Sequence, residues 1–351
     1  MEIITHYGMI FIILSIMLCF YATWNTGAND VANAMGTAVG SGAIGVKKAI
    51  IIAIIFEALG ALLAGSTVTD TLQNGLLHGA AFTAQPEWLV YGMLAALLAT
   101  SSWLVLATAW GWPVSTTQAI VGAIAGFAFL TTGSHAVQWN QVGTILLAWL
   151  LTPMIGGLLA WLLMKIAPVV AWLGRGTTTR GEGETEKIFA SLIVFAGAAM
   201  AFAHGANDVA NGVAPMAAVI ATVRSGGDVM RHDLPLWALA IGTLGIVTGL
   251  ATYGYRIMET IGSKMTELTP IRGFCATLAA AITVLIASRM GLPVSTTHIA
   301  IASIFGAGVP RGTATLDFRV MSGIVTSWMV TLPTVAVLSA LFFTLFRWLF
   351  S

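Results

Sequence analysis

The sequence predicts an all-α integral membrane protein: a polytopic helical bundle of two inverted-topology repeats, with broken helices at a buried binding site. Three observations predict it. The 351-residue chain is 58% hydrophobic and only 8% charged, with mean hydropathy +0.91, whereas a soluble domain is about a quarter charged. Apolar runs of about 20 residues, the length a spanning helix needs, recur from end to end. Two unrelated motifs each occur twice, at nearly the same spacing.

The spans are read as helices because lipid leaves every backbone group to be satisfied within its own segment. In the first half they lie at roughly 8–38, 47–69, 88–110, 113–131 and 139–168, and in the second at roughly 188–221, 234–256, 270–289, 293–309 and 319–349. The segments near 113–131 and 293–309 are candidates for re-entrant hairpins, which makes the total about 10–12 transmembrane or re-entrant segments. "GRGTTTRGEGETEK" separates the halves. It is polar and mixed in charge, and reads as an exposed linker. The division is residues 1–173, a linker at 174–187, and residues 188–351.

"GANDVAN" runs from Gly27 to Asn33 and again from Gly205 to Asn211. "GWPVSTTQ" at Gly111–Gln118 answers "GLPVSTTH" at Gly291–His298. The offsets are 207 − 29 = 178 and 295 − 115 = 180. Two motifs at one spacing mark an internal duplication. Five segments per half is odd, so the second copy enters from the opposite side, the inverted-repeat plan of secondary transporters. With both termini outside, eleven Lys and Arg, from Lys47 to Arg319, collect on the side of the linker. Four remain outside: Arg224, Arg231, Arg289 and Arg347. That bias favours both termini outside and a cytoplasmic linker, and the membrane is read as the cytoplasmic (cell) membrane. The N-terminus lacks a basic stretch, so no cleavable signal is read.

A net charge of +1 points to no nucleic-acid partner. Cys19 and Cys275 form no metal pattern and read as core filling. The two aspartates of GANDVAN lack the contexts of intramembrane proteases. Gly-x-Ser-Gly and His-Glu-x-x-His are absent too, so no enzyme is expected and no cofactor is called for.

Ionisable groups at membrane depth are rare and mark function. Asp30 and Asp208 recur at the repeat spacing, flanked by Asn29 and Asn33 and by Asn207 and Asn211. Gly27 and Gly205 are read as points where a helix breaks and frees backbone carbonyls. Carbonyl, amide and carboxylate oxygens form a hard cage suited to Na⁺. Pro113 and Pro293 fit the first turn of a helix, which places Ser115, Thr116, Thr117, Ser295, Thr296 and Thr297 at helix N-termini. Amides and hydroxyls there bind oxyanions without arginine. An ionised Asp only accepts hydrogen bonds, which favours an anion that still carries a proton, phosphate over sulfate. Glu57 lies near the middle of the second span and is assigned to coupling or gating, with Gln118 and His298 beside the second motif. His204 reads as a structural histidine.

At these motifs the chain resembles the PiT family of inorganic phosphate transporters. The duplicated GANDVAN is that family's signature, and "AHGANDVANGVAP" and "GLPVSTTH" fit it closely. The resemblance covers both halves. It implies cation-coupled uptake of inorganic phosphate and a homodimer in lipid. Na⁺ is the coupling ion the clean signature points to, and a proton-coupled phosphate or sulfate permease is the alternative. Carried over, Asn29, Asp30, Asn33, Asn207, Asp208 and Asn211 match the signature positions. The six PVSTT hydroxyls match positions expected to hold phosphate and sodium. Thr277 departs from the pattern, standing where several members have a glutamate.

Overall fold

Hydrocarbon forces each apolar run to close its own backbone hydrogen bonds, and in the computed structural model every regular element among the described residues is a helix. It describes residues 2–110, 112, 114–174, 182–229, 233–255, 258, 269–311 and 318–350. The first half contributes α1 (Glu2–Gly40), α2 (Val46–Ala64), α3 (Ser66–Asn74), α4 (Pro86–Ala109), α5 (Thr116–Thr131) and α6 (Trp139–Gly174). The second contributes α7 (Glu182–Asp208), α8 (Ala210–Arg224), α9 (Leu236–Gly249, running into a π turn at Leu250–Gly254), α10 (Pro270–Arg289), α11 (Thr296–Gly308) and α12 (Phe318–Phe350). Taking α7 and α8 as one span, seven among the described residues are long and apolar enough to cross a membrane, and α2 with α3, bent by 58° at Gly65, makes an eighth. The short helices α5 and α11 complete the ten segments. At 16 and 13 residues they fall short of the about 20 residues that a full crossing takes.

The broken helices lie elsewhere than the glycines implied. α1 runs without interruption through Gly27 to Gly40, and α7 continues into α8 past Val209, which keeps helical dihedrals. Gly27 and Gly205 are instead places of close approach. A Cβ on Gly27 would strike the carbonyl of Ile246 in α9, and one on Gly205 the carbonyl of Glu57 in α2. Gly60 and Gly249 meet Phe202 and Trp24 in the same reciprocal way. Small residues are what let membrane helices pack this tightly. The real breaks come before α5 and α11, which begin inside the protein at the PVSTT motifs. Pro293 lies in the extended segment before the Ser295 cap, not in the first turn of α11. Gly111, Pro113 and residues 175–181 of the linker lie outside the described residues. The linker ends sooner than expected, because α7 is already helical from Glu182.

The halves are interlaced. α2 packs on α7, and its counterpart α9 packs on α1. α6 closes over the α10–α11 hairpin, and α12 over α4 and α5. The two copies therefore share one interior, and their motifs face each other across it.

Gly205→Ala tests the close approach. Overpacking of this kind costs about 1–3 kcal/mol, so the purified variant should melt several degrees below the parent. Gly143→Ala, where a Cβ meets nothing within 4 Å, should leave the melting temperature unchanged.

Candidate functional site

Where α1 passes α7–α8, Asp30 and Asp208 come together, 5% and 0% exposed. Ser115 and Ser295 are the N-caps of α5 and α11. Each hydroxyl oxygen accepts from the backbone N–H three residues on, Gln118 at 3.2 Å and His298 at 3.3 Å. Capping fixes where each helix starts. It leaves the amides of Thr116, Thr117, Thr296 and Thr297 without intrahelical partners and each serine hydroxyl still able to donate.

The threonine hydroxyls reach the acids. Thr116 donates toward Asp208 Oδ2 at 3.3 Å and lies 3.5 Å from Asp30 Oδ2. A hydroxyl has one proton, so the two carboxylates share it. Thr296 donates to Asp208 Oδ2 at 3.1 Å. The amides then tie the halves crosswise. Asn33 Nδ2 donates to Thr297 at 2.9 Å, and its counterpart Asn211 donates to Thr117 at 3.3 Å and Thr116 at 3.2 Å. Each asparagine of one half thus holds the hydroxyl helix of the other.

Asn207 braces the α10–α11 hairpin. Its Nδ2 donates to Ser288 at 2.9 Å and to the Leu292 carbonyl at 3.2 Å, and its Oδ1 accepts from Val294 N–H at 3.2 Å. One lone pair of that oxygen remains. Asn29, its counterpart, is half-buried. Gln118 and His298 are buried in the first turns of α5 and α11. Thr277 bonds the hydroxyl of Thr37 at 2.6 Å, joining α10 to α1 one turn beyond Asn33.

The sequence reading took His204 as structural, and the structure places it among the acids. Its Nε2 lies 3.2 Å from Asp208 Oδ2 and 3.8 Å from Asp30 Oδ2, and its Nδ1 lies 3.3 Å from Glu57 Oε1. Among the described residues it is the basic side chain within ion-pair range of these acids. The signal was present as His-x-x-x-Asp, a spacing that puts His204 and Asp208 on one helix face.

Three buried acids stand around one histidine, and any carboxylate charged at that depth needs a partner. Several buried oxygens also lack a donor among the described residues: Asp208 Oδ1, Asn211 Oδ1 and Gln118 Oε1. Acceptors without donors suit a hard cation, and helix N-termini rich in hydroxyls suit an oxyanion. Asp30, His204 and Asp208 each offer a ligand atom within 4.8 Å of the others.

A sequence profile describing the "Phosphate transporter family" matches residues 26–339. A Haemophilus influenzae protein described as a "Putative phosphate permease" is 38% identical, with both chains covered in full. One from Thermococcus kodakarensis with the same description is 37% identical over 95% of this chain and 97% of its own. Among solved structures, one titled "The sodium-dependent phosphate transporter" is similar at TM-score 0.87 and 33% identity. It covers 96% of this chain and 99% of that one.

Two carboxylates around one hydroxyl repel, and a site of this kind stores instability. In a buffer with choline as its cation, Asp30→Asn should therefore raise the melting temperature by a few degrees. A fall would show that Asp30 is held mainly for stability.

Proposed function

The chain belongs to the phosphate transporter family, and from that membership we propose that it is a secondary transporter coupling Na⁺ to inorganic phosphate in symport by alternating access. One observation carries the proposal: two hydroxyl-bearing helix N-termini and two aspartates, one of each from each repeat, converge on a single buried place. The family membership supports phosphate as the cargo. The likeness to a protein titled sodium-dependent supports Na⁺, as do the buried oxygens that lack donors.

In this reading phosphate lies at the N-termini of α5 and α11. It takes hydrogen bonds from the free amides and from the hydroxyls of Ser115, Thr116, Thr117, Ser295, Thr296 and Thr297. Its remaining proton faces Asp30 or Asp208. Na⁺ is held by the carboxylate and amide oxygens of Asn29, Asp30, Asn33, Asn207, Asp208 and Asn211. Neither ion suits the site alone. Phosphate without a cation would face two carboxylates, and the cation without phosphate would leave the helix N-termini unanswered. Mutual attraction in a low-dielectric interior makes their binding cooperative, which is the condition for coupled transport. Glu57, Gln118 and His298 adjoin these groups and are assigned to coupling or gating. The interlaced halves supply the moving parts, each hairpin being able to rock against the helices of the other repeat. The termini lie outside the cytoplasmic membrane, the linker inside, and two copies form the assembly.

Proteoliposomes should take up radiolabelled phosphate only under an inward Na⁺ gradient, with excess sulfate competing weakly. Uptake driven equally by a pH gradient without Na⁺ would favour proton coupling, for which His204 beside Asp208 provides a carrier. Asp208→Asn should abolish uptake while the protein still purifies and melts as a folded species. Near-normal uptake would remove the carboxylate from the mechanism.

A further inference from the structure

Duplication ought to make the two aspartates equivalent, and the surroundings of the site show that they are not. The reciprocal glycine contacts define which residues are counterparts. Gly205 meets the carbonyl of Glu57 as Gly27 meets that of Ile246, so Ile246 is the counterpart of Glu57. The 178-residue offset of the motif makes Thr26 the counterpart of His204, 204 − 178 = 26. The Thr26 hydroxyl is spent on its own helix, donating to the Ala22 carbonyl at 3.1 Å. An acid–histidine pair therefore stands beside Asp208, where the other half has an aliphatic and a self-bonded hydroxyl.

Packing does not account for the pair. An isoleucine fills the counterpart place in the same fold, so the position does not call for a carboxylate. Glu57 and His204 are both fully buried. Neither Glu57 oxygen and neither imidazole nitrogen of His204 makes a hydrogen bond with a described group, and the two side chains face each other at ion-pair range, 3.3 Å. Burying a carboxylate in that state is costly unless the group has work to do. On the far side of the ring, Asp208 Oδ2 is surrounded by Thr116 at 3.3 Å, Thr296 at 3.1 Å and His204 Nε2 at 3.2 Å. Asp208 Oδ1 has no donor among the described residues. Asp30 lies farther from the ring, at 3.8 Å, and among the described residues its one hydrogen-bond donor is the shared Thr116 hydroxyl at 3.5 Å.

We propose that Glu57 and His204 are a positioning pair: Glu57 holds the imidazole, and the imidazole pins Asp208 Oδ2, so that Asp208 presents Oδ1 to the cation as a fixed ligand while Asp30 stays free to adjust. The two half-sites, equal by descent, then differ in cation affinity, and the Asp208 side is the preorganised one. Groups that orient a ligand through a hydrogen-bonding partner change metal affinity about 10–100-fold when removed. The inference rests on the symport reading and deepens it.

The test is a double-mutant cycle of Glu57→Gln and His204→Gln, read in two ways. In proteoliposomes, each single variant should raise the Na⁺ concentration for half-maximal uptake about tenfold. The phosphate KM at saturating Na⁺ should stay unchanged. The double variant should be no worse than either single, because Glu57 acts only through His204. In detergent, the stabilisation of the protein by added Na⁺ should follow the same pattern and reads binding even if turnover is lost. Glu57→Ile with His204→Thr, the residues of the counterpart positions, serves as a variant the fold already accommodates. Losses that add, or a phosphate KM that moves with the Na⁺ requirement, would overturn the pair. A parent protein whose uptake and stability both ignore Na⁺ would overturn the symport reading itself.

Discussion

Two buried carboxylates sharing one hydroxyl proton is the constraint on which the rest of this structure depends. Asp30 and Asp208 cannot approach each other in an apolar interior unless donors and positive charge surround them. The donors come from Thr116 and Thr296. Those threonines can stand there only because α5 and α11 begin at that depth, each start fixed by a serine cap. The caps in turn need a chain that breaks in mid-membrane, which lipid forbids unless the loose backbone is enclosed in protein. Asn207, gripping the α10–α11 loop through its amide and its oxygen, is part of that enclosure.

Interlacing follows from the same need. If each half closed on its own motif, two separate half-sites would result. Here α2 lies on α7, α9 on α1, and each hairpin under the last long helix of the other half. Glycines at Gly27, Gly205, Gly60 and Gly249 bring these helices to backbone contact. The Asn33–Thr297 and Asn211–Thr117 bonds then cross from one half to the other. Symmetry sets up the site and the Glu57–His204 pair breaks it. In the symport reading, a site that binds ions of opposite charge and releases both gains from having one rigid side and one adaptable side.

Much was legible because the signals were compositional or repeated. The membrane class rested on an 8% charged content, and the repeat on two motifs at one offset. Asp30, Asp208 and the hydroxyls of Thr116 and Thr296 lie together. Gly27 was misread because glycine serves two purposes, backbone freedom and close approach, and a sequence shows only that it is glycine. Pro293 was misplaced by one cap, since proline fits an extended lead-in as well as a first turn. His204 was undervalued because its partner Glu57 lies in a different helix, about 150 residues earlier, a contact no local pattern reports.

Sequence by itself determined the class of protein, its duplication, and the chemical types gathered at the site. These follow from the solvent and from local pattern: lipid demands apolar helices, two motifs at one spacing mark a repeat, and acids at depth need polar partners. Only the tertiary structure decided which helix breaks and which stays whole, which hydroxyl caps and which reaches an acid, and that one aspartate of an identical pair is held by a histidine. Those outcomes depend on distances of a few ångströms between segments far apart in the chain. There the same residue becomes a spacer, a brace or a ligand according to what packs against it.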